Sequence, residues 1–438
     1  MQLEVATGTR AWIAERARRL PRDAALLAGL RPLGATWWRR SARAQDLERL
    51  ARARTPLVVF LHGGDIDGLG SVEPLLVPPP RREPHALGFV IVHRAPPERG
   101  TRDDGPVRSF LCSTDFYRDV HRQAFADERS AFRVAKAVLG RCSGWVGLHA
   151  LQWPLPPTAT SRSLWGTPAR ADAAPVTWLI VHRGDPAWLD ATLRHVRVGC
   201  GGRDVVWVCL DEPRSRSHDD LVAAHPNVHF WRGAPSGLGP YVARHLLGSA
   251  ALTRLLVFQD SDDLPMRNRR RELVQALDRS GAGMVGSHEL RVDEQREKVI
   301  AIRFPLDVSA ALEQATQHPL MHPTSVVRVD AFRRSGGFST ARRFGADLQF
   351  LLRAHFSMRI RNVDAFLYLR WKRPGSLTTS PGSGLGEPER VALAQRWKDD
   401  FVGVRRGTLR LQACSLAAEH REDLHRVRLV YLGSGLRR

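Results

Sequence analysis

From residue 176 onward, short apolar runs alternate with segments of helical spacing, and this alternation constrains the fold more than any other feature of the chain. The runs Val176–Val181, Val205–Leu210 and Leu255–Phe258 have the length of buried strands, and helical segments fall between them around Trp188–Val196 and Tyr241–Ala250. Strands covered on both faces by intervening helices make a mostly parallel sheet, and ligands of such sheets bind beyond the carboxyl ends of the strands. The residues that follow each apolar run are therefore where chemistry is expected.

The rest of the chain divides around this part. Residues 1–54, rich in Ala, Arg and Leu and broken at Pro21 and Pro32, read as a helical N-terminal segment. Its arginine-rich faces, with Trp37 and Trp38, suit either an anionic membrane surface or a solvated cap on the next domain. Residues 55–160, with the runs Leu57–Leu61 and Leu87–Val92, predict a smaller α/β module of unassigned role. Residues 161–175 read as a linker, 176–380 as the main domain, and 381–438 as a helical, then basic, C-terminal extension. A short echo joins Val90-Ile-Val-His93-Arg94 to Leu179-Ile-Val-His182-Arg183, which a chain rich in Val and Arg produces by coincidence more often than by duplication.

Composition narrows the function classes without choosing among them. With 438 residues the chain has room for two or three domains and a sizeable core. No apolar run approaches the roughly 18 residues of a membrane-spanning helix, and no secretory signal is read at the start. The net charge of +21 rests on 66 basic residues, of which only Lys136, Lys298, Lys372 and Lys398 are lysine. A GC-rich genome produces that arginine skew without selection for binding; the alternatives are phosphate-bearing ligands, anionic membranes and nucleic acid, all of which use guanidinium groups well. The five cysteines include no C-x-x-C pair, which gives little support to a disulfide framework or a zinc site and fits the reducing cytoplasm.

The sharpest motif is Arg254-Leu-Leu-Val-Phe-Gln-Asp260-Ser261-Asp262-Asp263-Leu-Pro265, a buried run ending in three carboxylates. If the extended conformation persists through Ser261, Asp260 and Asp262 point to one side. Like charges so placed call for a cation between them, and Mg²⁺ or Mn²⁺ is the hard ion that oxygen ligands and phosphates would share. The alternative is that Asp262 or Asp263 caps a helix after Pro265. Asp211 and Glu212 stand just past the preceding apolar run, where an acceptor can take a nucleobase N–H or a ribose hydroxyl, or simply form a turn. Asp347 opens an apolar helical run (Leu348, Phe350, Leu351, Leu352), as either a base or a helix cap.

In that order, residues 176 to about 380 resemble a family-2 glycosyltransferase of the GT-A fold. Trp178–Pro186 resembles the family's opening strand and turn; Gly237-Leu-Gly-Pro-Tyr-Val-Ala243-Arg244-His245 resembles its Gly-x-x-x-Ala-Arg-Asn helix, and Gln259–Asp263 its D-x-D motif. Pro323–Arg328 with Ser335-Gly-Gly-Phe338 resembles its acceptor-side segment, Gly345-Ala346-Asp347 its base-bearing helix start, and Leu367–Thr378 its closing basic segment. The resemblance implies a GT-A-like α/β fold and an inverting glycosyltransferase that uses Mg²⁺ or Mn²⁺. In it Asp347 is the catalytic base and Asp260 and Asp262 are metal ligands. His182, Arg183, Asp211, Arg244, Asp260, Asp263, Arg370 and Lys372 then face a nucleotide-sugar donor, with Arg373 beside them. The acceptor would be a glycan or glycoconjugate, as in polysaccharide synthesis, and the setting cytoplasmic or peripheral at the inner face of a membrane.

Three departures bear on donor choice: His182-Arg183-Gly184 replaces the usual Thr-Tyr-Asn turn, Asp211-Glu212-Pro213-Arg214 replaces Asp-Asp-Gly-Ser, and Ala346 stands where many relatives have Glu. A nucleotidyltransferase shares the sheet and the acids without needing Asp347, and a basic nucleic-acid-binding or scaffold protein could retain the fold without catalysis; nucleic acid is the less favoured partner. His62-Gly63-Gly64 lacks the G-x-S-x-G elbow that a hydrolase would require. His318 and His322 have metal-like spacing, but the flanking prolines break the helix that would align them.

Overall fold

The computed structural model describes residues 174–212, 218–233, 237–315 and 318–434. Before them it describes 2–6, 36–39, 57–62, 86–93, 109–113 and 146–153, with Phe132, Ala135, Lys136, Val138 and Leu139. The chain forms two compact units, Met1–Pro168 with Leu290–Ile302, and Ala169–Glu289 with Arg303–Arg438.

The first unit contains a six-stranded mixed sheet of β1 (Gln2–Ala6), β2 (Thr36–Arg39), β3 (Leu57–His62), β4 (Ala86–His93), β5 (Ser109–Ser113) and β6 (Val146–Trp153), in the order β2-β1-β3-β5-β4-β6. β1 and β2 fall inside the segment expected to be helical. Their sequences explain the difference, since Leu3 and Val5 alternate with Gln2 and Glu4 at the period of a strand, and Thr36-Trp-Trp is β-branched and aromatic. Both run parallel, β1 beside β3 as well as β2. The helical readings elsewhere in 1–54, most of the linker at 161–175 and the Gly63-Gly64 turn lie outside the described residues.

The second unit is built on the strands β7 (Val176–His182), β8 (Val205–Leu210), β9 (Val228–Arg232) and β10 (Leu255–Asp260), all parallel, in the order β10-β7-β8-β9. Antiparallel strands extend the sheet on both sides. β14 (Val326–Arg328) joins β10, followed by β12 (Met284–Asp293), β15 (Ile360–Lys372) and β11 (Leu264–Pro265), while β16 (Val430–Ser434) joins β9. The end of β12 from Leu290 on and β13 (Lys298–Ile302), which pairs with β12, belong to the first unit.

The period-two alternation of the central strands sends their apolar side chains to two separate cores. Val176, Trp178 and Ile180 of β7, with Leu255 and Val257 of β10, pack under α1 (Pro186–Gly199), α2 (Asp219–Ala224) and α4 (Arg269–Ser280). Leu179 and Val181, with Leu256 and Phe258, face α3 (Pro240–Ala250), α6 (Val329–Arg334), α7 (Ala346–Ala354) and α8 (Pro388–Arg405). A short helix α5 (Val308–Gln314) adds Val308 and Leu312 to the second core. The result is a mixed α/β architecture with helices on both faces of a sheet whose centre is parallel. Residues 381–434 are tied into it: Trp397 and Phe401 of α8 and Leu416 are buried in the second core, and β16 closes an edge.

Register sets the site. Asp260 pairs with Val181, and His182 pairs with Leu210, so β10, β7 and β8 end at one level, and Asp260, His182 and Asp211 emerge side by side.

Candidate active site

The acidic turn begins where β10 stops. The strand ends at Asp260, so extended backbone does not persist through Ser261 and strand alternation is not what orients Asp260 and Asp262. Two neighbours fold the chain over instead. Thr192 of α1 donates its hydroxyl to the carbonyls of Ser261 and Asp263, each at 2.9 Å, and the Gln259 amide donates to those of Asp260 (2.8 Å) and Asp263 (2.9 Å). The other side of Gln259 accepts from Arg269, fully buried on α4, which also donates to the carbonyls of Phe258 and Pro323 at 2.6 Å. Arg269 lies between the rings of Trp178 and Tyr368, at 5.5 and 5.0 Å, and burial brings its pKa down to about 10. This arginine is the buttress beneath the turn.

None of the three acids caps a helix, because α4 opens later, with Asn268 at its N-cap. Asp260 pairs with Arg244 of α3, and Asp262 accepts from Arg373 at 3.0 Å. Arg373 stands 3.9 Å above the ring of Trp188, which meets Trp371 edge-on, so the guanidinium is held by aromatic and ionic contacts together. Asp263 is buried and accepts from the Trp371 N–H at 2.7 Å. Burial and the nearby Asp260 raise the Asp262 carboxyl, and burial with both neighbouring acids raises Asp263 well above the carboxylate range. Arg370 sits 3.6 Å from the buried Glu289; burial works to lower its pKa, and Glu289, Asp263 and Asp260 together outweigh it. Lys372, the last residue of β15, is half-buried. Positive and negative groups therefore interleave along β15 and the acid turn.

Asp347 occupies the first turn of α7 but does not cap it. Gly345 is the N-cap, at φ +77°, and a side chain there would strike the Trp397 ring at 2.9 Å, so only glycine lets the chain turn into the helix. The Asp347 oxygens look the other way: one accepts from the Tyr241 hydroxyl at 2.8 Å, and the other lies 3.7 Å from His322 Nδ1. Burial would raise this carboxyl, but His322, His318 and Tyr241 hold it far below the ordinary range. His322 opens a short 3-10 turn and packs against Phe258 and Phe338. Tyr241 and Arg244 lie three residues apart on α3 and so share one face. That face binds Asp347 through one residue and Asp260 through the other, and brings base and acid turn together.

At the ends of β7 and β8, His182 is fully buried and its Nδ1 meets Ser261 Oγ at 2.9 Å. Arg183 is exposed, with its guanidinium beside Gly237. Asp211 is buried and accepts from the N–H groups of Leu238 and Gly239, the latter at 2.9 Å. It anchors the loop that enters α3. Glu212 accepts from the Gly184 N–H, and a side chain at Gly184 would collide with Trp188 at 2.8 Å. Arg269 and Glu289 escaped sequence reading, and Tyr241 and Gln259 stood inside motifs without a role of their own. For Tyr241 a signal was present, since its spacing to Arg244 in a helix places both on one face.

No protein-family model matches the sequence, and no curated protein matches it. Among solved structures, the chain is similar to residues 1–349 of TarS of S. aureus in complex with UDP-GlcNAc, at 14% identity and a TM-score of 0.43, over 52% of this chain and 66% of that one. The same protein in complex with UDP gives 13% identity and a TM-score of 0.42, over 52% and 65%. The chain thus spans a little under two thirds of these neighbours, a likeness too slight to carry an argument about fold or activity.

Proposed function

We propose that the chain is an inverting glycosyltransferase that binds a nucleotide-sugar donor at the carboxyl ends of β7, β8 and β10. One observation carries the reading. A single face of α3 holds an ionised, half-buried carboxylate, Asp347, next to a turn of acids interleaved with arginines. A base beside a charged diphosphate cradle is what one displacement at an anomeric carbon needs.

A divalent ion fits the acid turn on its charge. Three carboxylates stand within four residues there, and the Asp260 charge adds to burial in raising the Asp262 carboxyl. Each arginine engages one oxygen of its partner, and a carboxylate has two. Asp260 and Asp262 would hold Mg²⁺ or Mn²⁺, which would supply positive charge to the departing diphosphate. Arg370, Lys372 and Arg373 carry fixed positive charge to the same place. Arg183 and the Asp211-anchored loop border the nucleoside side. Asp347 accepts the acceptor's proton on a carboxylate oxygen, oriented by Tyr241 and His322. It takes that proton as the attacking oxygen bonds to the anomeric carbon and becomes strongly acidic. The acceptor is a glycan or glycoconjugate hydroxyl. No described helix is long and apolar enough to cross a membrane.

Thermal stabilisation of the chain by a panel of nucleoside diphosphates and nucleotide sugars, with and without Mn²⁺, tests the donor site. A metal-dependent shift with one base, absent from Asp262→Asn, supports the reading. Release of the nucleoside diphosphate with inverted product completes it; release of pyrophosphate assigns nucleotidyl transfer instead. No shift with any donor refutes it and returns the weight to a basic scaffold protein.

A further inference from the structure

We propose that His182, Glu212 and His218 form a zinc site, separate from the acid turn and independent of the glycosyl transfer reading. One ligand atom from each lies within 4.8 Å of the other two, and all three residues are buried. They come from three places, the end of β7, the residue pair after β8, and the residue before α2. Cysteine spacing pointed away from zinc; this site uses no cysteine, and no regular spacing announces it.

The donor set decides the metal. Two imidazoles and one carboxylate suit zinc, whereas Mg²⁺ and Ca²⁺ take oxygen ligands. Tetrahedral zinc with bonds of about 2.0–2.1 Å needs its ligands about 3.3 Å apart, so a small closing of the side chains completes the geometry. Three protein ligands leave a fourth position for water. The outer contacts are those that orient metal ligands. With Nδ1 of His182 bonded to Ser261 Oγ, Nε2 is the nitrogen that coordinates, and Glu212 is fixed by the Gly184 N–H. The His182 and His218 rings stand nearly perpendicular, at 84°, with centroids 5.9 Å apart. Bound zinc would pin the ends of β7 and β8 to the start of α2 and, through His182 and Ser261, steady the acid turn. His182 is then a positioning residue, not a donor contact.

The test uses the full chain, loaded with ZnCl₂, dialysed against metal-free buffer and assayed for zinc by mass spectrometry. We expect about one zinc per chain, falling at least about tenfold in His218→Ala and Glu212→Gln. Asp262→Asn, in the other site, keeps its zinc even if the transfer reading fails. Loading with Co²⁺ gives a second readout that needs no variant: an intense visible spectrum of low-coordinate, nitrogen-ligated cobalt supports the site. A weak hexaaqua-type spectrum, no stoichiometric zinc in the wild type, or unchanged zinc in both folded ligand variants overturns it.

Discussion

At the carboxyl ends of β7, β8 and β10 the side chains are ionic and individually tethered: Asp263 to the Trp371 N–H, Asp211 to Gly239 and Leu238, Asp262 to Arg373. At the other ends of these strands Thr177, Val205 and Thr253 open onto a hollow of about 420 Å³. It is lined also by Trp207, His229, Trp231, Leu252 and Tyr431, with Trp207 and Trp231 at 4.8 Å and Trp231 and Tyr431 at 5.2 Å between ring centroids. Loops that leave a strand for a helix offer backbone N–H groups, and those groups stabilise carboxylates. The opposite end is held by ring contact together with hydroxyl hydrogen bonds, Thr177 to Thr253 at 2.7 Å and His229 to Tyr431 at 2.9 Å. The first region depends chiefly on charged oxygen atoms, while the second adds the buried area of its rings to neutral side-chain contacts.

The sharpest break between the two should come from Asp347→Asn. Turnover is expected to fall roughly 10²–10⁴-fold, the scale of a lost general base, while the thermal shift with nucleoside diphosphate remains. Loss of both would place Asp347 in binding rather than proton transfer. Arg269→Leu attacks the support instead of the chemistry. It leaves buried oxygens of Gln259, Phe258 and Pro323 without their donor, and urea unfolding should show a loss on the order of 3 kcal/mol. An unchanged midpoint would mean the turn needs no buttress.

Tyr241→Phe removes one hydrogen bond to the base and should slow turnover about tenfold. Its pH profile is the more telling reading. The Tyr241 hydroxyl helps lower the Asp347 carboxyl, so its loss moves the acid limb of the profile to higher pH. In stability the same carboxylate contributes above the ordinary carboxylate range, and the contribution is lost as pH falls through its depressed value; Tyr241→Phe shrinks that contribution. An acid limb that stays in place would assign it to another group. Trp231→Ala, at the aromatic end, should leave turnover within about twofold while lowering stability by about 1–2 kcal/mol. A large drop in turnover would erase the contrast and make the hollow part of the acceptor path.

Much of the second unit was legible. β8 falls on the expected residues, β7 and β10 run on to His182 and Asp260, and α3 covers the expected helical segment, because apolar runs bounded by turn residues leave few alternatives. β1 and β2 were not legible, since strands of five and four residues vanish against an Ala- and Arg-rich background. In the site, the acids stood out because carboxylates directly after a buried run are costly without partners. Their partners did not stand out. Arg373 reaches Asp262 across 111 positions and Tyr241 reaches Asp347 across 106.

Local pattern by itself determined which segments become strands and helices in the second unit and which ends would carry charge, because periodicity and turn chemistry act over a few residues. Only the tertiary structure decided that Asp211 anchors a loop, that Arg269 is a buried buttress, that Asp347 is not a cap, and that His182, Glu212 and His218 converge. Those outcomes depend on which distant groups share a dielectric and a hydrogen bond, and strand register, not sequence spacing, sets that.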